Sequence, residues 1–310
     1  MPILKPRFYC QVVSTAALFL ATALSQAEES SPHAVALQSA GYKVSNANGG
    51  GLKVDFGTVK VIDDASIGHI AGLADVRQLS GTGEGVDDVV LAKLAKAVPE
   101  LEDLFINGPT ITDEGLTVLA TLPKLKHLGI HHGPKELKGK GLLAFKENRN
   151  FTSIEFGGMQ GIDDVTVGYL AELPHLRSIN IYHTMNTRAS LPLLVEKNPL
   201  IEKFSLNPDF QPVRLTAADI PMLAPLKNLK ELALHDMVLP YEGGLVYLKQ
   251  LKGLKKLDIE WGIYTDEDLA KLRADLPGVE IKSGNFAKKE NLAIWNERVA
   301  QLKKDASVKP

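Results

Sequence analysis

The sequence predicts an α/β solenoid, a curved horseshoe with a parallel β-sheet on its concave face and helices on its convex face. Two observations predict this fold. An apolar pattern returns about every 25 residues, and an acidic phrase that starts a helix follows in many of the repeats. Repeats of this length stack on one another and share a continuous core. About ten units are expected, starting at residues 51, 76, 101, 125, 151, 176, 201, 229, 254 and 279.

The first part of most units is Leu-x-x-Leu-x-Leu or a variant of it with Ile, Val or Phe at the apolar positions, and the extended pattern is complete in Leu101–Leu125. A period of about 20 to 29 residues with this opening is the signature of a leucine-rich repeat. Side chains alternate between the two faces of a strand. We therefore expect positions 4 and 6 of each unit, such as Leu128 and Ile130, to face the core. Positions 3, 5 and 7 should face the concave side.

Paired acidic residues recur where the second half of a unit turns helical, as in Asp63-Asp64, Asp87-Asp88 and Asp163-Asp164. An aspartate at a helix start accepts hydrogen bonds from free backbone N–H groups and meets the positive end of the helix dipole. A ladder of metal-binding carboxylates is the alternative. Capping is favoured because the acids keep step with the repeat. Residues 133–150 and the proline-rich residues 207–228 depart from the pattern, and the second segment predicts a protruding loop.

The first 27 residues predict a secretory signal peptide. Lys5 and Arg7 precede the mostly apolar stretch Phe8–Leu24, and Ser25-Gln26-Ala27 places small residues around a cleavage site. We expect an exported protein, either periplasmic, in the cell envelope or secreted, with no membrane insertion after cleavage. An uncleaved anchor is the alternative.

The remaining chain divides into a cap at 28–50, a solenoid at 51–282 and a C-terminal segment at 283–310. The last segment predicts a capping helix and tail, because Leu292, Trp295, Val299 and Leu302 fall at helical spacing. Such a helix would cover the apolar end of the last unit.

Composition excludes several classes of function. Cys10 is the single cysteine and leaves with the signal, so the mature chain cannot use disulfides, thiol catalysis or cysteine zinc sites. The chain has 35 Lys and Arg against 37 Asp and Glu, a net charge of −2. This balance gives no attraction for nucleic acid. No cofactor motif is present, and we expect no cofactor.

The phrase L-x-x-L-x-I…I-T-D-x-G-L-x-x-L-A-x-L-P-x-L resembles the repeats of bacterial extracytoplasmic leucine-rich-repeat proteins. It is also similar to the repeats of F-box adaptors and of GALA-type effectors. The resemblance covers about 51–281 and implies a scaffold for protein–protein binding. Gly81 departs from it at an apolar position. Residues 28–50 are too few for the separate helical domain of an F-box adaptor, so the resemblance does not extend to that function.

Aromatic, imidazole and carboxylate side chains map to the concave face, and they are the candidate binding residues: Phe105, His131, His132, Glu155, Tyr182, His183, His235 and Trp261. Such side chains are typical of binding hot spots. Gly129, Gly157 and Gly158 lie beside them and predict a shallow depression.

Three interpretations of this face stay open. It is ordinary surface, a recognition surface for a protein or peptide, or the site of a hydrolase or metal-dependent enzyme that uses the histidines. His131 and His235 are four units apart, on the order of 19 Å, so they cannot share one metal ion. We favour a non-enzymatic scaffold that binds an unknown protein or peptide. A structural envelope protein is a further alternative.

Overall fold

The computed structural model describes residues 31–57, 59–207, 215–235, 237–284 and 300. Within them, eleven strands form one sheet whose spatial order follows the chain. The strands are β1 Lys43–Asn46, β2 Leu52–Asp55, β3 Val76–Thr82, β4 Asp103–Asn107, β5 His127–His131, β6 Ser153–Gly157, β7 Ser178–Tyr182, β8 Lys203–Asn207, β9 Glu231–Leu234, β10 Lys256–Asp258 and β11 Glu280–Lys282.

Helices connect most of the strands. The α-helices are α1 Pro32–Ser39, α2 Asp64–Ala71, α3 Asp88–Ala97, α4 Asp113–Leu119, α5 Asp164–Ala171, α6 Leu191–Lys197 and α7 Asp266–Asp275. Short 3-10 helices take the same place in other units, at Lys140–Phe145, Ala217–Leu223 and Leu245–Gln250, and a further one, Arg188–Ser190, leads directly into α6. No helix of the described residues has the length and apolar character needed to cross a membrane.

Strands β2 to β11 run parallel, and one of them falls in each of the ten predicted units. Strand β1 pairs antiparallel with β2 and begins the sheet beside α1. The predicted α/β leucine-rich-repeat solenoid, with a parallel sheet on one side and helices on the other, is therefore confirmed.

The core lies between the sheet and the helices and is built largely from the two inward positions of the inner strands. Leu128 and Ile130 of β5 are fully buried, and they stand in register with Leu104 and Ile106 of β4. The outward residue His127 is only half-buried. The predicted alternation is thus confirmed, and each unit contributes apolar side chains to one continuous core.

The predicted acidic caps are confirmed at three helices. The carboxylates of Asp63, Asp87 and Asp163 accept hydrogen bonds from backbone N–H groups in the first turns of α2, α3 and α5. Thr112 and Thr265 cap α4 and α7 instead, through their hydroxyl groups. Each cap satisfies a donor that has no partner within its own helix.

The second acidic residue of a pair has a role that the sequence analysis missed. Asp88 accepts hydrogen bonds from the backbone N–H of Thr112 at 2.9 Å and from its hydroxyl at 2.7 Å. Asp164 makes the same two bonds to Thr187, at 2.6 and 2.7 Å. Thr112 and Thr187 belong to the next unit along the chain. The paired acids therefore cap one helix and fasten it to its neighbour.

The two irregular segments differ in how far they can be described. Residues 133–150 replace the α-helix by the 3-10 helix Lys140–Phe145, whose Leu142 and Phe145 are buried in the core. The predicted bulge or protruding loop at 207–228 falls partly on residues 208–214, which lie outside the described residues. So do the predicted signal peptide and almost all of the predicted C-terminal capping segment. For residues 215–228 the prediction of a protruding loop is wrong, because the 3-10 helix Ala217–Leu223 packs on the core through Ile220 and Leu223.

The register can be tested with neighbouring substitutions on β5. Leu128→Ala should lower the free energy of unfolding by about 2–5 kcal/mol, because it opens a cavity in the core. His127→Ala removes a side chain from the exposed side and should cost far less. Denaturant titrations of both variants measure the difference. Equal losses would contradict the inward and outward assignment.

Candidate functional site

The exposed side of the sheet, called here the sheet face, carries all eight sequence-predicted site residues on its strands or just beyond their carboxyl ends. The residues from Phe105 to His183 gather over β4 to β7. His235 and Trp261 lie farther along the sheet, at β9 and β10. The structure therefore brings the predicted residues into two groups, with a groove between and beside them.

His131 is the centre of the first group. Its Nε2 atom lies 2.6 Å from Glu155 Oε1 and 2.8 Å from the Tyr182 hydroxyl. The Phe105 ring meets the imidazole edge-on at 4.6 Å between centroids. An ionised carboxylate can only accept hydrogen bonds, so Nε2 of His131 carries a hydrogen atom and its N–H group donates a hydrogen bond to Glu155. These contacts hold four side chains from four strands in one arrangement.

The charges in this group are set by the same contacts. The hydrogen bond from His131 lowers the pKa of Glu155 below its ordinary value, although burial acts in the opposite direction. Burial, and then the charge of Glu155, raises the pKa of Tyr182 to about 12. Near neutral pH the group therefore combines an ionised carboxylate with a protonated phenol.

The predicted depression over Gly129, Gly157 and Gly158 is wrong, because aromatic rings of neighbouring units cover these glycines. A Cβ atom on Gly129 would lie 2.6 Å from the Phe105 ring, and one on Gly157 would lie 2.5 Å from the Tyr182 ring. Gly158 is in similar contact with His132. The glycines give the rings space close to the sheet, and this space is filled by the rings.

A groove of about 850 Å³ lies instead over β6 to β10. Its floor holds the short side chains of Ser205 and Ala233, with Asn180 beside them. Aromatic and imidazole side chains form one wall, and charged side chains form the other. The wall residues are Tyr182, His183, His235 and Trp261 on one side and Lys203, Glu231, Lys256 and Glu280 on the other.

The second group contains a histidine beside a carboxylate. Nε2 of His235 lies 3.0 Å from Oδ1 of Asp258, and Lys282 Nζ lies 3.2 Å from the other carboxylate oxygen. Burial acts against ionisation of Asp258. Hydrogen bonds from the backbone N–H of Glu260 and from His235 outweigh it and lower the pKa. Asp258 is therefore also ionised near neutral pH.

His132 and His183 have a backbone conformation that favours glycine. Their φ angles are 49° and 51°, and both residues directly follow a strand. Gly108 takes the same place in the unit before His132, and Gly158 takes it in the unit between the two histidines, with φ angles of 74° and 63°. A side chain in this region costs on the order of 1 kcal/mol. Strain of this kind is often retained at functional sites, which favours a role for both imidazoles.

The described histidines do not form a metal site with other potential ligands. The described residues contain no group of three or more potential ligands around one point. Nε2 of His131 is engaged by Glu155, and Nδ1 of His132 lies 2.7 Å from Oδ1 of Asn107. The enzymatic alternative stays a prediction.

Sequence reasoning missed the groove floor. Asn180, Ser205 and Ala233 occupy position 5 of three consecutive units, and Asp258 occupies it in the next. A run of small or uncharged residues at one outward position is visible in the sequence once the units are aligned. That run was the signal that could have located the groove.

Comparison with known proteins supports the fold. A chain of the Rad7 and Elc1 complex from yeast is similar to this chain, with a TM-score of 0.58 and 16% sequence identity. The similarity covers 79% of this chain and 66% of the yeast chain. A protein from Bacteroides fragilis is similar with a TM-score of 0.51 and 18% identity, over 73% and 70% of the two chains. No protein-family model and no curated protein matches the sequence. The sheet topology and the two similar structures together define the fold as a leucine-rich-repeat solenoid.

The backbone strain at His132 predicts that glycine is more stable than alanine at this position, the reverse of the usual order within a strand. His132→Gly should be more stable than His132→Ala by about 1 kcal/mol, because only glycine adopts a φ of 49° without strain. His127→Gly and His127→Ala are the matched control on the adjoining strand, where alanine should be the more stable. Thermal unfolding of the four variants gives both orders. An alanine variant as stable as glycine at position 132 would contradict the strain.

The Glu155–His131 contact predicts a dependence on pH. The folded-state pKa of Glu155 lies below its ordinary value of 4.5, so ionisation stabilises the folded protein above about pH 4.5. That stabilisation should be lost as the pH falls through the lowered folded-state pKa.

The measurement compares the unfolding free energy of wild type and Glu155→Gln from pH 7 to pH 2. The wild type should be more stable at neutral pH, and the difference should shrink in acid. Glu196→Gln, on the exposed side of α6, is the control. A constant difference between wild type and Glu155→Gln across this range would contradict the assignment.

Proposed function

We propose that the protein is a non-enzymatic binding scaffold that holds a segment of another polypeptide in the groove over β6 to β10. One observation carries the proposal. The groove has a floor of short side chains between an aromatic wall and a charged wall, on a rigid sheet. This arrangement accommodates a chain with mixed apolar and polar side chains better than a small apolar ligand.

The aromatic wall supplies the features of a binding hot spot. Trp261 is 42% exposed although it is large and apolar. The Tyr182 ring is fixed by Gly157 beneath it and by His131 beside it. Ordered aromatic rings lose little conformational entropy on binding and bring both apolar area and a polar group to the contact.

The sheet itself limits how a partner can bind. Strands β2 to β10 are paired on both sides, so their backbone groups are already hydrogen-bonded. A peptide in the groove cannot add as another strand there, and side chains must recognise it. A segment lying across the strands would contact the floor and both walls at once.

Charge supports a polypeptide more than a nucleic acid. The charged wall alternates in sign from Lys203 to Glu231 and from Lys256 to Glu280, and Lys203 lies 3.1 Å from Glu231. A surface that follows a phosphate backbone has one positive sign. One of the similar solved structures is a complex of two proteins, which agrees with a scaffold role without identifying a partner for this chain.

The test selects displayed random peptides of twelve residues against the full chain. Ala233→Arg fills the groove floor with a long side chain and should weaken the selected peptides at least about tenfold. Leu193→Arg is the matched control, because Leu193 is exposed on α6 at the helical side. It should leave binding unchanged, and circular dichroism confirms that both variants are folded.

Two results would contradict this function. Selection could yield no peptide above background. Alternatively, the selected peptides could bind Ala233→Arg as well as the wild type while Leu193→Arg abolished binding, which would place the site on the helical side.

A further inference from the structure

The sheet face carries two histidine–carboxylate pairs at equivalent positions of their units. His131 of β5 pairs with Glu155 of β6 at 2.6 Å. His235, which directly follows β9, pairs with Asp258 of β10 at 3.0 Å. In both cases the carboxylate occupies position 5 of its unit, and the histidine occupies position 7 of the preceding unit. The same diagonal placement of a histidine beside a carboxylate therefore occurs twice, four units apart.

These pairs stand at the two ends of the groove floor. Glu155 is in register with Asn180, and the row continues through Ser205 and Ala233 to Asp258. The three residues between the two carboxylates carry no charge. Four strand steps of about 4.8 Å separate the carboxylates by roughly 19 Å. The floor is thus neutral in the middle and negative at both ends.

The charged side chains around the groove do not cancel the negative charge at its two ends. On the charged wall, Lys203 is paired with Glu231. Lys282 contacts Asp258 at 3.2 Å, but the same ammonium group also forms a salt bridge with Glu260. The lining acids number four and the lining lysines three, so the groove is slightly acidic when its histidines are neutral. Both end carboxylates are ionised, as described above.

We propose that the groove takes an extended polypeptide segment with two cationic side chains about six residues apart, one for Glu155 and one for Asp258. An extended chain advances about 3.3 Å per residue, so roughly six residues cover the 19 Å. Arginine suits each end, because its planar guanidinium forms paired hydrogen bonds with a carboxylate. This proposal rests on the proposed function and adds the chemistry of the partner.

Synthetic peptides with two arginines separated by one to nine serine and threonine residues test this spacing. Binding of fluorescein-labelled peptides to the full chain is measured by anisotropy at low salt, where charge contacts are least screened. Affinity should be greatest with five intervening residues. With one or two intervening residues both arginine side chains must extend fully in opposite directions to reach the two carboxylates, so these peptides should bind at least about tenfold more weakly. Longer spacers should lose affinity gradually, because slack chain lowers the effective concentration of the second arginine.

Single neutralising variants identify the two contacts. Glu155→Gln and Asp258→Asn should each remove the preference for five intervening residues, so that all spacers bind like the shortest. Glu155→Asp keeps the charge and should retain the preference, even if the neighbouring His131 contact weakens. Glu196→Gln, on the helical side, is the matched control and should leave the whole series unchanged.

The result that overturns this inference differs from the one that overturns the proposed function. Equal affinity at every spacing, no binding of any peptide, or a preference that survives both neutralising variants would remove the paired-cation requirement. The scaffold function would still stand if selected peptides without paired cations lost binding to Ala233→Arg.

Discussion

The whole structure depends on the burial of two apolar side chains in most of its strands. Leu128 and Ile130 lie on their counterparts in the preceding strand, and this in-register stacking repeats along the sheet. Because each unit buries these side chains only against its neighbours, the fold is a one-dimensional stack. Its immediate consequence is that the outward positions of the same strands make little contribution to the core and can vary.

The outward positions use this freedom in two ways. Over β4 to β7 they build a fixed network in which His131 joins Glu155, Tyr182 and Phe105. Over β7 to β9 the short side chains of Ser205 and Ala233 leave a groove. The network forms one end of the groove, and the His235–Asp258 pair lies near the other. A rigid site of this kind limits the entropy that a bound segment must overcome, because little of the protein has to be ordered.

Hydrogen bonds between neighbouring units also hold the helical side in alignment. Asp88 and Asp164 each bind a threonine of the following unit, while the preceding aspartate caps their own helix. Stacking is therefore fixed on both sides of the core, by the sheet on one side and by these carboxylates on the other.

Much of the fold could be predicted from the sequence, because period and alternation are local properties. The 25-residue step located the strands, and alternation assigned Leu128 and Ile130 to the core. The site was harder, because it depends on how side chains of different units lean on one another. Gly129 and Gly157 were expected to open a depression, but rings from adjacent strands cover them.

The role of the second aspartate was missed for the same reason. Asp88 and Asp164 look like additional helix-start acids in the sequence, and only the stacked structure shows that their partners lie about 25 residues farther along the chain. The eight candidate residues were placed correctly on the sheet face or beside it. The groove between them was not foreseen.

Inward strand positions stabilise the fold, whereas outward positions are proposed to determine binding. A substitution scan of β5 to β10 that reads both stability and the affinity of a selected peptide for every variant tests this claim most directly. The account predicts that loss of stability follows every second residue, whereas loss of affinity falls on the alternate residues and centres on Ser205 and Ala233. If the two losses fell on the same residues, or if affinity responded only to the helices, the claim would be contradicted.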